Sequence, residues 1–336
     1  MFQTAINHYL QSFATEELTS FMRFITTLGY PTFLMVFLLV LLYAVDFKKG
    51  FLLFLVLLWT ALITFFFKDY FDLPRPFHVD NTLAFLDGQL PDEASFEFSE
   101  RDAPSFWASL PADVLEITRQ AEGVQNGFPS GHASCAIAFW GALGLLFRKR
   151  WITIIVTSLM FLIPLSRMYL GVHFLADVVG GVALGGIILG IFYALVLKPN
   201  KLNTFSQKNH YDIGINTISF ILLICPFVGF LFLPPKYYIL VAYMVGFGLS
   251  FLLLARKGLP INEAPLSHIL GRTIIGVFIF IIFNYILKMI SDQMGLSENL
   301  WVDFFRNLIG SLALMWIGIE IGIRLGWFKR GDKVKV

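Results

Sequence analysis

The sequence predicts an all-α fold, a polytopic bundle of about nine helices that span a membrane. Of its 336 residues, 57% are hydrophobic and 14% are charged, whereas a typical soluble domain is about 25% charged. A helix needs about 20 mostly apolar residues to cross a hydrocarbon core about 30 Å thick. Apolar runs that approach this length occur at 29–45, 51–67, 133–147, 151–165, 174–197, 214–234, 237–255, 271–289 and 306–326.

Three regions follow from these runs. Residues 1–28 begin with apolar side chains at roughly helical spacing, which predicts an amphipathic helix on the membrane surface. Residues 29–197 hold the first five runs and are expected to form a core, and residues 198–336 hold four further runs as an extension. Within the core, the connection 78–127 is long and acidic, so we expect it to carry function or structure of its own.

Basic residues in the connections predict the orientation, because cytoplasmic loops near span ends are enriched in lysine and arginine. Five basic clusters fall in alternate connections, namely Lys48–Lys49, Arg148–Arg150, Lys198–Lys208, Arg256–Lys257 and Lys329–Lys335. This pattern places the N-terminus outside, the C-terminus in the cytoplasm and the connection 78–127 on the outer face. The net charge of +2 gives no reason to expect a nucleic-acid partner.

Three short segments on the predicted outer face carry groups that bind phosphate. The first holds Lys68 and Arg75, which lie two helical turns apart if the second helix continues. Lysine offers a mobile point charge, whereas the planar arginine fork can hold two phosphate oxygens at once. Taken alone, this segment is better explained by two cations whose side chains extend to the membrane surface.

The second segment, residues 127–132, directly precedes the third apolar run. Ser130 is placed to cap that helix, and the unpaired backbone N–H groups at a helix start can bind an anion. Gly131 allows a close approach of the backbone, and His132 could donate a proton to a leaving alkoxide. Without the other segments, a helix cap with an incidental histidine would explain this pattern as well.

The third segment, residues 166–177, joins the fourth and fifth runs. His173 and Asp177 are four residues apart, which places them on one face of a helix. A carboxylate there can accept the Nδ1–H of the imidazole and leave Nε2 free as a nucleophile. An ionisable residue within a membrane span is costly and therefore indicates function. Arg167 adds a third cation.

This ordered pattern resembles the full signature of the type 2 phosphatidic acid phosphatase superfamily: Lys68-x6-Arg75-Pro76, Pro129-Ser130-Gly131-His132 and Ser166-Arg167-x5-His173-x3-Asp177. The resemblance implies that His173 attacks phosphorus, that Asp177 orients it and that His132 protonates the leaving oxygen. It implies that the phosphoryl oxygens are bound by Lys68, Arg75, Ser130, Gly131 and Arg167.

No metal or other cofactor is expected. The three segments lack an acidic cluster that could hold Mg²⁺, and the two histidines are already needed for catalysis. Both cysteines, Cys135 and Cys225, lie in apolar runs, which argues against a thiolate metal site and against a disulfide framework.

The resemblance implies a catalytic core at 29–197 that removes phosphate from a membrane lipid. Candidate substrates are phosphatidate, phosphatidylglycerol phosphate, an isoprenyl phosphate or pyrophosphate, and a sphingoid phosphate. The expected partners are this lipid and the bilayer, and the expected location is a bacterial inner membrane with the site on the periplasmic face.

Other functions stay open at this point. The alternatives are a sugar-phosphate phosphatase, a lipid phosphotransferase, and a transporter or scaffold that retains a relic of the site. Nine spans with an outward N-terminus are similar to the glucose-6-phosphatase branch, whereas the residues around Arg75 are similar to the sphingosine-phosphate phosphatase branch. Vanadium haloperoxidases resemble the same constellation, but a membrane-spanning chain argues against them.

Overall fold

The computed structural model describes residues 1–88, 98, 101–121, 124–197, 226, 233–296 and 299–331. Within these ranges the regular structure is helical, apart from two short strands, β1 (Pro260–Ile261) and β2 (Lys329–Arg330), that pair antiparallel. The predicted all-α fold class is therefore confirmed.

The helices of the first 200 residues are nine in the described ranges, several of them prolonged by a π-helical turn. They are α1 (Ala5–Gln11), α2 (Glu16–Thr27), α3 (Pro31–Val40, continued by Leu41–Val45), α4 (Phe47–Phe71), α5 (Ala112–Gln120), α6 (Gly131–Cys135, continued by Ala136–Trp140), α7 (Gly141–Phe147), α8 (Arg150–Tyr169) and α9 (Leu175–Phe192, continued by Tyr193–Leu197). A short 3-10 turn at Pro76–His78 follows α4.

The C-terminal helices in the described ranges are α10 (Tyr238–Lys257), α11 (Leu266–Ile281, continued by Ile282–Ile286), α12 (Leu287–Gln293), α13 (Leu300–Leu312, continued by Ala313–Ile317) and α14 (Gly318–Arg324). Here a buried arginine, Arg272, lies over the ring of Phe328 at 4.2 Å and donates to the carbonyls of Trp327 and Asn262. The bond to Asn262 holds the segment between α10 and α11 against α11, and the bond to Trp327 does the same for the chain that follows α14.

Six helical stretches of the described residues are long and apolar enough to cross a membrane: Phe47–Phe71, Arg150–Tyr169, Leu175–Leu197, Pro235–Lys257, Leu266–Gln293 and Leu300–Arg324. A seventh is counted if α2 and α3, which meet at a bend of 58°, form one span. The helical stretch Gly131–Phe147 is apolar but shorter. The predicted count of nine is not confirmed, and the run predicted at 214–234 lies almost wholly outside the described residues.

The chain divides into two compact units. Unit 1 contains Met1–Leu34 and Trp59–Ala194, and unit 2 contains Met35–Leu58 and Leu195–Val336. All eight site residues predicted from the sequence belong to unit 1. The predicted domains 1–28, 29–197 and 198–336 stay a prediction.

Two glycines on α9 bring the second and third sequence segments together. A side chain on Gly181 would place its Cβ 2.5 Å from the Ser130 carbonyl oxygen, and one on Gly185 would lie 2.6 Å from that of Ser134. Helices in membranes pack this closely where small residues recur every four positions. The start of α6 is thereby held against the start of α9.

Candidate active site

Each predicted residue lies at the end of a helix or just beyond it. Lys68 is in the last turn of α4, and Arg75 precedes the 3-10 turn at Pro76–His78 with an extended backbone. Arg167 is in the last turn of α8, and Asp177 is in the first turn of α9. His173 lies between α8 and α9, whereas Ser130 caps α6, which Gly131 and His132 begin.

His173 and Asp177 form the predicted pair. Nδ1 of His173 lies 3.1 Å from Oδ2 of Asp177, and both side chains are almost fully buried. The same carboxylate oxygen accepts the backbone N–H of Phe174 at 3.0 Å, which fixes the carboxylate at the helix start. With Nδ1 facing Asp177, the imidazole presents Nε2 as the atom that can attack.

A backbone bond joins the second segment to this pair. The N–H of Ser130 donates to the carbonyl oxygen of Asp177 at 2.9 Å. The hydroxyl of Ser130 in turn accepts from the backbone N–H of Ala133, as expected of an N-cap residue. The start of α6 therefore lies beside the start of α9.

Lys68, Arg75 and Arg167 form a group that we call the cation cluster. Its positive charges affect the protonation of His173. Burial lowers the pKa of His173 well below its usual value, and the positive charges of Arg75, Lys68 and Arg167 lower it further. The imidazole is therefore neutral at physiological pH, as a nucleophile must be. Burial and the charge of Arg167 also lower the pKa of Arg75, to about 10, which leaves its guanidinium charged.

Three buried nitrogen atoms of the site have no hydrogen-bond partner among the described residues. They are Nε of Arg75, Nε of Arg167 and Nε2 of His132. Buried polar atoms are paired in the large majority of cases, and each unpaired one needs an explanation. Two guanidinium nitrogens and an imidazole nitrogen together fit an anion with several oxygens.

The ammonium group of Lys68 is partly used within the protein. Nζ donates to the carbonyl oxygens of Asn126 at 2.5 Å and Gly127 at 3.0 Å. An ammonium group has three donors, so one stays available for a ligand. Lys68 thus also anchors the chain that leads into α6.

Arg167 has contacts that the sequence pattern did not indicate. Nη1 donates to Oδ2 of Asp87 at 3.0 Å and to the hydroxyl of Thr26 at 2.7 Å. The Tyr30 ring lies 5.9 Å from the guanidinium carbon, and its hydroxyl donates to Asp87 at 3.1 Å. The acidic character of 78–127 was visible in the sequence, but nothing singled out Asp87.

His132 is held by aromatic packing. Its ring meets the ring of Tyr30 edge to face, with 4.8 Å between the centroids. Gly29 makes room for it, since a Cβ at that position would lie 2.8 Å from Cδ2 of His132. The imidazole is therefore fixed in orientation while Nε2 stays open to a ligand.

In the described ranges, no three side chains of His, Cys, Asp or Glu are grouped so that they could hold a metal ion together. The expectation of metal-free chemistry stays a prediction.

A comparison with protein families matches residues 49–201 to the PAP2 superfamily. The chain carries a PAP2 superfamily domain. The resemblance drawn from the three segments is confirmed, and the PAP2 domain includes all eight predicted site residues.

Curated relatives are similar to parts of this chain. A lipid A 4'-phosphatase of Bacteroides thetaiotaomicron is 37% identical over 87 residues, which cover 26% of this chain and 39% of the relative. Phosphatidylglycerophosphatase B of Bacillus subtilis is 39% identical over 90 residues, 24% of this chain and 43% of the relative. Sphingosine-1-phosphate phosphatase 1 of Rattus norvegicus is 35% identical over 118 residues, which cover 33% of this chain and 27% of the relative. The chain thus spans less than half the length of each of these relatives.

Proposed function

We propose that this protein is a membrane-bound phosphatase that hydrolyses a lipid phosphate through a phosphohistidine at His173, without a metal ion. One observation carries the proposal. Beside the buried His173–Asp177 pair, three buried nitrogen atoms of Arg75, Arg167 and His132 lack partners among the described residues. A phosphoryl group would supply acceptors for all three.

In the first half-reaction, Nε2 of His173 attacks phosphorus while the bond from phosphorus to the lipid oxygen breaks. Asp177 holds the Nδ1–H and stabilises the positive charge that the ring acquires. The cation cluster and the N–H groups at the start of α6 stabilise the charge on the equatorial oxygens. Burial and the neighbouring cations lower the pKa of His132 well below its usual value, so His132 takes up its proton together with the anionic substrate. It then donates this proton to the departing alkoxide, which leaves as an alcohol.

In the second half-reaction, water attacks the phosphorus of the phosphohistidine. His132, now neutral, takes a proton from that water, and the nitrogen–phosphorus bond breaks. Orthophosphate leaves, His173 returns to the neutral imidazole, and His132 returns to its protonated form. The two steps together consume one water and one phosphate ester.

A lipid is the substrate class that the position of the site favours. Lys68, Arg167 and Asp177 lie at the ends of three helices that are long and apolar enough to cross a membrane. A phosphate headgroup can reach these ends while its acyl chains stay in the hydrocarbon region. The printed names of the similar proteins, phosphatases of lipid A, phosphatidylglycerophosphate and sphingosine 1-phosphate, support this substrate class.

The proposed location is a bacterial inner membrane, with the site on the periplasmic face, the N-terminus outside and the C-terminus in the cytoplasm. This orientation is supported by the basic clusters in alternate connections. Cysteine labelling with a membrane-impermeant reagent, at single cysteines introduced at the exposed positions 88 and 256, tests it. Labelling in intact cells at 256 and not at 88 would contradict the orientation.

The activity is tested with purified protein and radiolabelled phosphates. The panel contains phosphatidate, phosphatidylglycerol phosphate, lipid A, sphingosine phosphate, isoprenyl phosphate and diphosphate, and glucose 6-phosphate, each with and without an acceptor lipid. Wild type and the control His268→Gln, a histidine of unit 2, should release orthophosphate from at least one lipid. His173→Gln should release none.

Three results would contradict the proposal or redirect it. Undiminished turnover by His173→Gln would show that His173 is not the nucleophile. Activity confined to glucose 6-phosphate would favour a sugar-phosphate phosphatase. Transfer of label to the acceptor lipid in place of release would indicate a phosphotransferase.

A further inference from the structure

Helix α1 contacts the segment that carries His173, although it lies outside the residues that match the family. Asn7 of this helix is fully buried. Its Nδ2 donates to the carbonyl oxygen of Met168 at 2.8 Å and to that of His173 at 3.0 Å. One amide group thus uses both hydrogens to join the end of α8 to the backbone of the proposed nucleophile.

After α8 the chain turns through Gly171, with a φ of +78°. The N–H groups of Gly171 and Val172 donate to the carbonyl oxygens of Met168 and Arg167, which closes the end of the helix. A side chain at Gly171 would place its Cβ 2.5 Å from the carbonyl oxygen of Ala84. This turn is therefore tightly enclosed and held by its own backbone bonds up to Val172, and the amide of Asn7 extends the connection to His173.

A second side chain on the same face of α1 continues the contact. Gln11, four residues after Asn7, donates to the carbonyl oxygens of Tyr169 at 3.1 Å and Ala84 at 2.7 Å. Residues four apart share a helix face. Two amides of α1 therefore supply donors to the end of α8, but only that of Asn7 reaches His173.

Helix α1 is itself anchored to the long outer connection. The backbone N–H and the hydroxyl of Thr4 both donate to Oδ2 of Asp102, at 2.5 and 2.9 Å. Nε2 of His8 lies 2.9 Å from Oδ2 of Asp80, a carboxylate with no exposed surface. These bonds give α1 a fixed position that does not depend on insertion into a lipid surface.

We propose that Asn7 is a positioning residue for His173. Its amide fixes the distance between the His173 backbone and the end of α8, which carries Arg167. Nε2 of His173 is thereby held in line with a phosphorus whose oxygens Arg167 binds. This inference rests on the proposed function, since it assigns a role to Asn7 in the attack step of that reaction.

Loss of this amide should affect the attack and leave phosphate binding intact. Asn7→Leu keeps the approximate size of the side chain and removes both donors. A misplacement of about 1 Å can cost about 10²-fold in rate, so kcat and phosphoenzyme formation should fall about 100-fold. KM should stay within about twofold of wild type, because Asn7 makes no contact with the cation cluster.

The test measures single-turnover phosphoenzyme formation, steady-state kcat and KM, and inhibition by vanadate and by orthophosphate. The substrates are a lipid phosphate and p-nitrophenyl phosphate, whose good leaving group does not need an acid. Asn7→Leu should lose rate equally on both substrates, and vanadate inhibition should weaken while orthophosphate inhibition does not. Vanadate forms a bond to the attacking nitrogen, so it reports on the position of that nitrogen.

The matched control is Gln11→Leu, which removes an amide from the same face of α1 without touching His173. It should keep kcat within a few fold of wild type. Asn7→Ser, which retains one donor, should lie between wild type and Asn7→Leu, and it carries the test if Asn7→Leu does not fold.

The outcomes separate the two proposals. Activity that His173→Gln abolishes supports the proposed function, and wild-type kcat in Asn7→Leu would then overturn the role of Asn7 alone. Equal losses in Asn7→Leu and Gln11→Leu would also overturn it, because they indicate general loosening of α1. A wild-type protein that releases no phosphate from any substrate would overturn both.

Discussion

Replacing Asp87 by asparagine should tighten phosphate binding about tenfold. Oδ2 of Asp87 accepts from Nη1 of Arg167 at 3.0 Å, and the side chains of Arg167 and Asp87 are 3% and 11% exposed. Salt screens such a buried pair much less than a surface pair. The negative charge of this carboxylate therefore opposes the binding of a phosphate to Arg167.

The magnitude follows from the type of bond. A hydrogen bond to a charged group contributes about 1.5–3 kcal/mol. Asparagine keeps the shape and an acceptor oxygen but removes the negative charge, so we take the lower end of this range. Because about 1.4 kcal/mol corresponds to a factor of ten in affinity, KM for the lipid phosphate and the inhibition constant of orthophosphate should both fall about tenfold.

The assay compares KM and orthophosphate inhibition in wild type, Asp87→Asn and Asp113→Asn. Asp113 belongs to the same outer connection and pairs with Arg101 at the surface, where its side chain is 58% exposed. The control makes the same change of charge away from Arg167 and should leave both constants unchanged. A higher KM in Asp87→Asn would refute the reasoning, since it would mean that Asp87 orients Arg167 for the substrate.

Three further changes test the reaction. Asp177→Asn should lower kcat by up to about 10⁴-fold, as loss of an orienting carboxylate does elsewhere, and a loss below tenfold would contradict its role. His132→Gln should slow lipid hydrolysis about 10²–10⁴-fold, but should slow p-nitrophenyl phosphate much less. Equal effects of His132→Gln on both substrates would contradict an acid role. EDTA should leave the rate of the dialysed enzyme unchanged whereas vanadate should inhibit it, and inactivation by EDTA that Mg²⁺ or Zn²⁺ reverses would show that the enzyme needs a metal.

The predicted site residues could be found in the sequence because each lies in a short segment with a fixed internal spacing. The four-residue interval between His173 and Asp177 predicted their contact, although His173 precedes α9 and does not lie on a face of that helix as expected. The partners of these residues could not be found in this way. Thr26 meets Arg167 across 141 residues and Asn7 meets His173 across 166, and no local pattern records such contacts.

The predicted membrane spans show the same difference between what a local pattern determines and what depends on distant parts of the chain. In the part of the chain that the structure describes, helices occur at eight of the nine predicted positions, because long apolar runs determine them, and the ninth position lies almost wholly outside that part. Hydropathy alone does not reveal the 58° bend between α2 and α3. Nor does it indicate that the polar side chains of Thr4, Asn7 and Gln11 would fix α1 within the protein, since the apolar spacing predicted only an amphipathic helix on the membrane surface.

The most direct test of the central claim is to trap the enzyme during turnover of a ³²P-labelled lipid phosphate. Rapid quenching in alkali, followed by peptide mapping, should recover label on His173 as an acid-labile, alkali-stable adduct. The label should be absent from His173→Gln and should accumulate in His132→Gln with p-nitrophenyl [³²P]phosphate, where hydrolysis of the intermediate is slowed. Turnover without labelled protein, or label on a residue other than His173, would contradict the account.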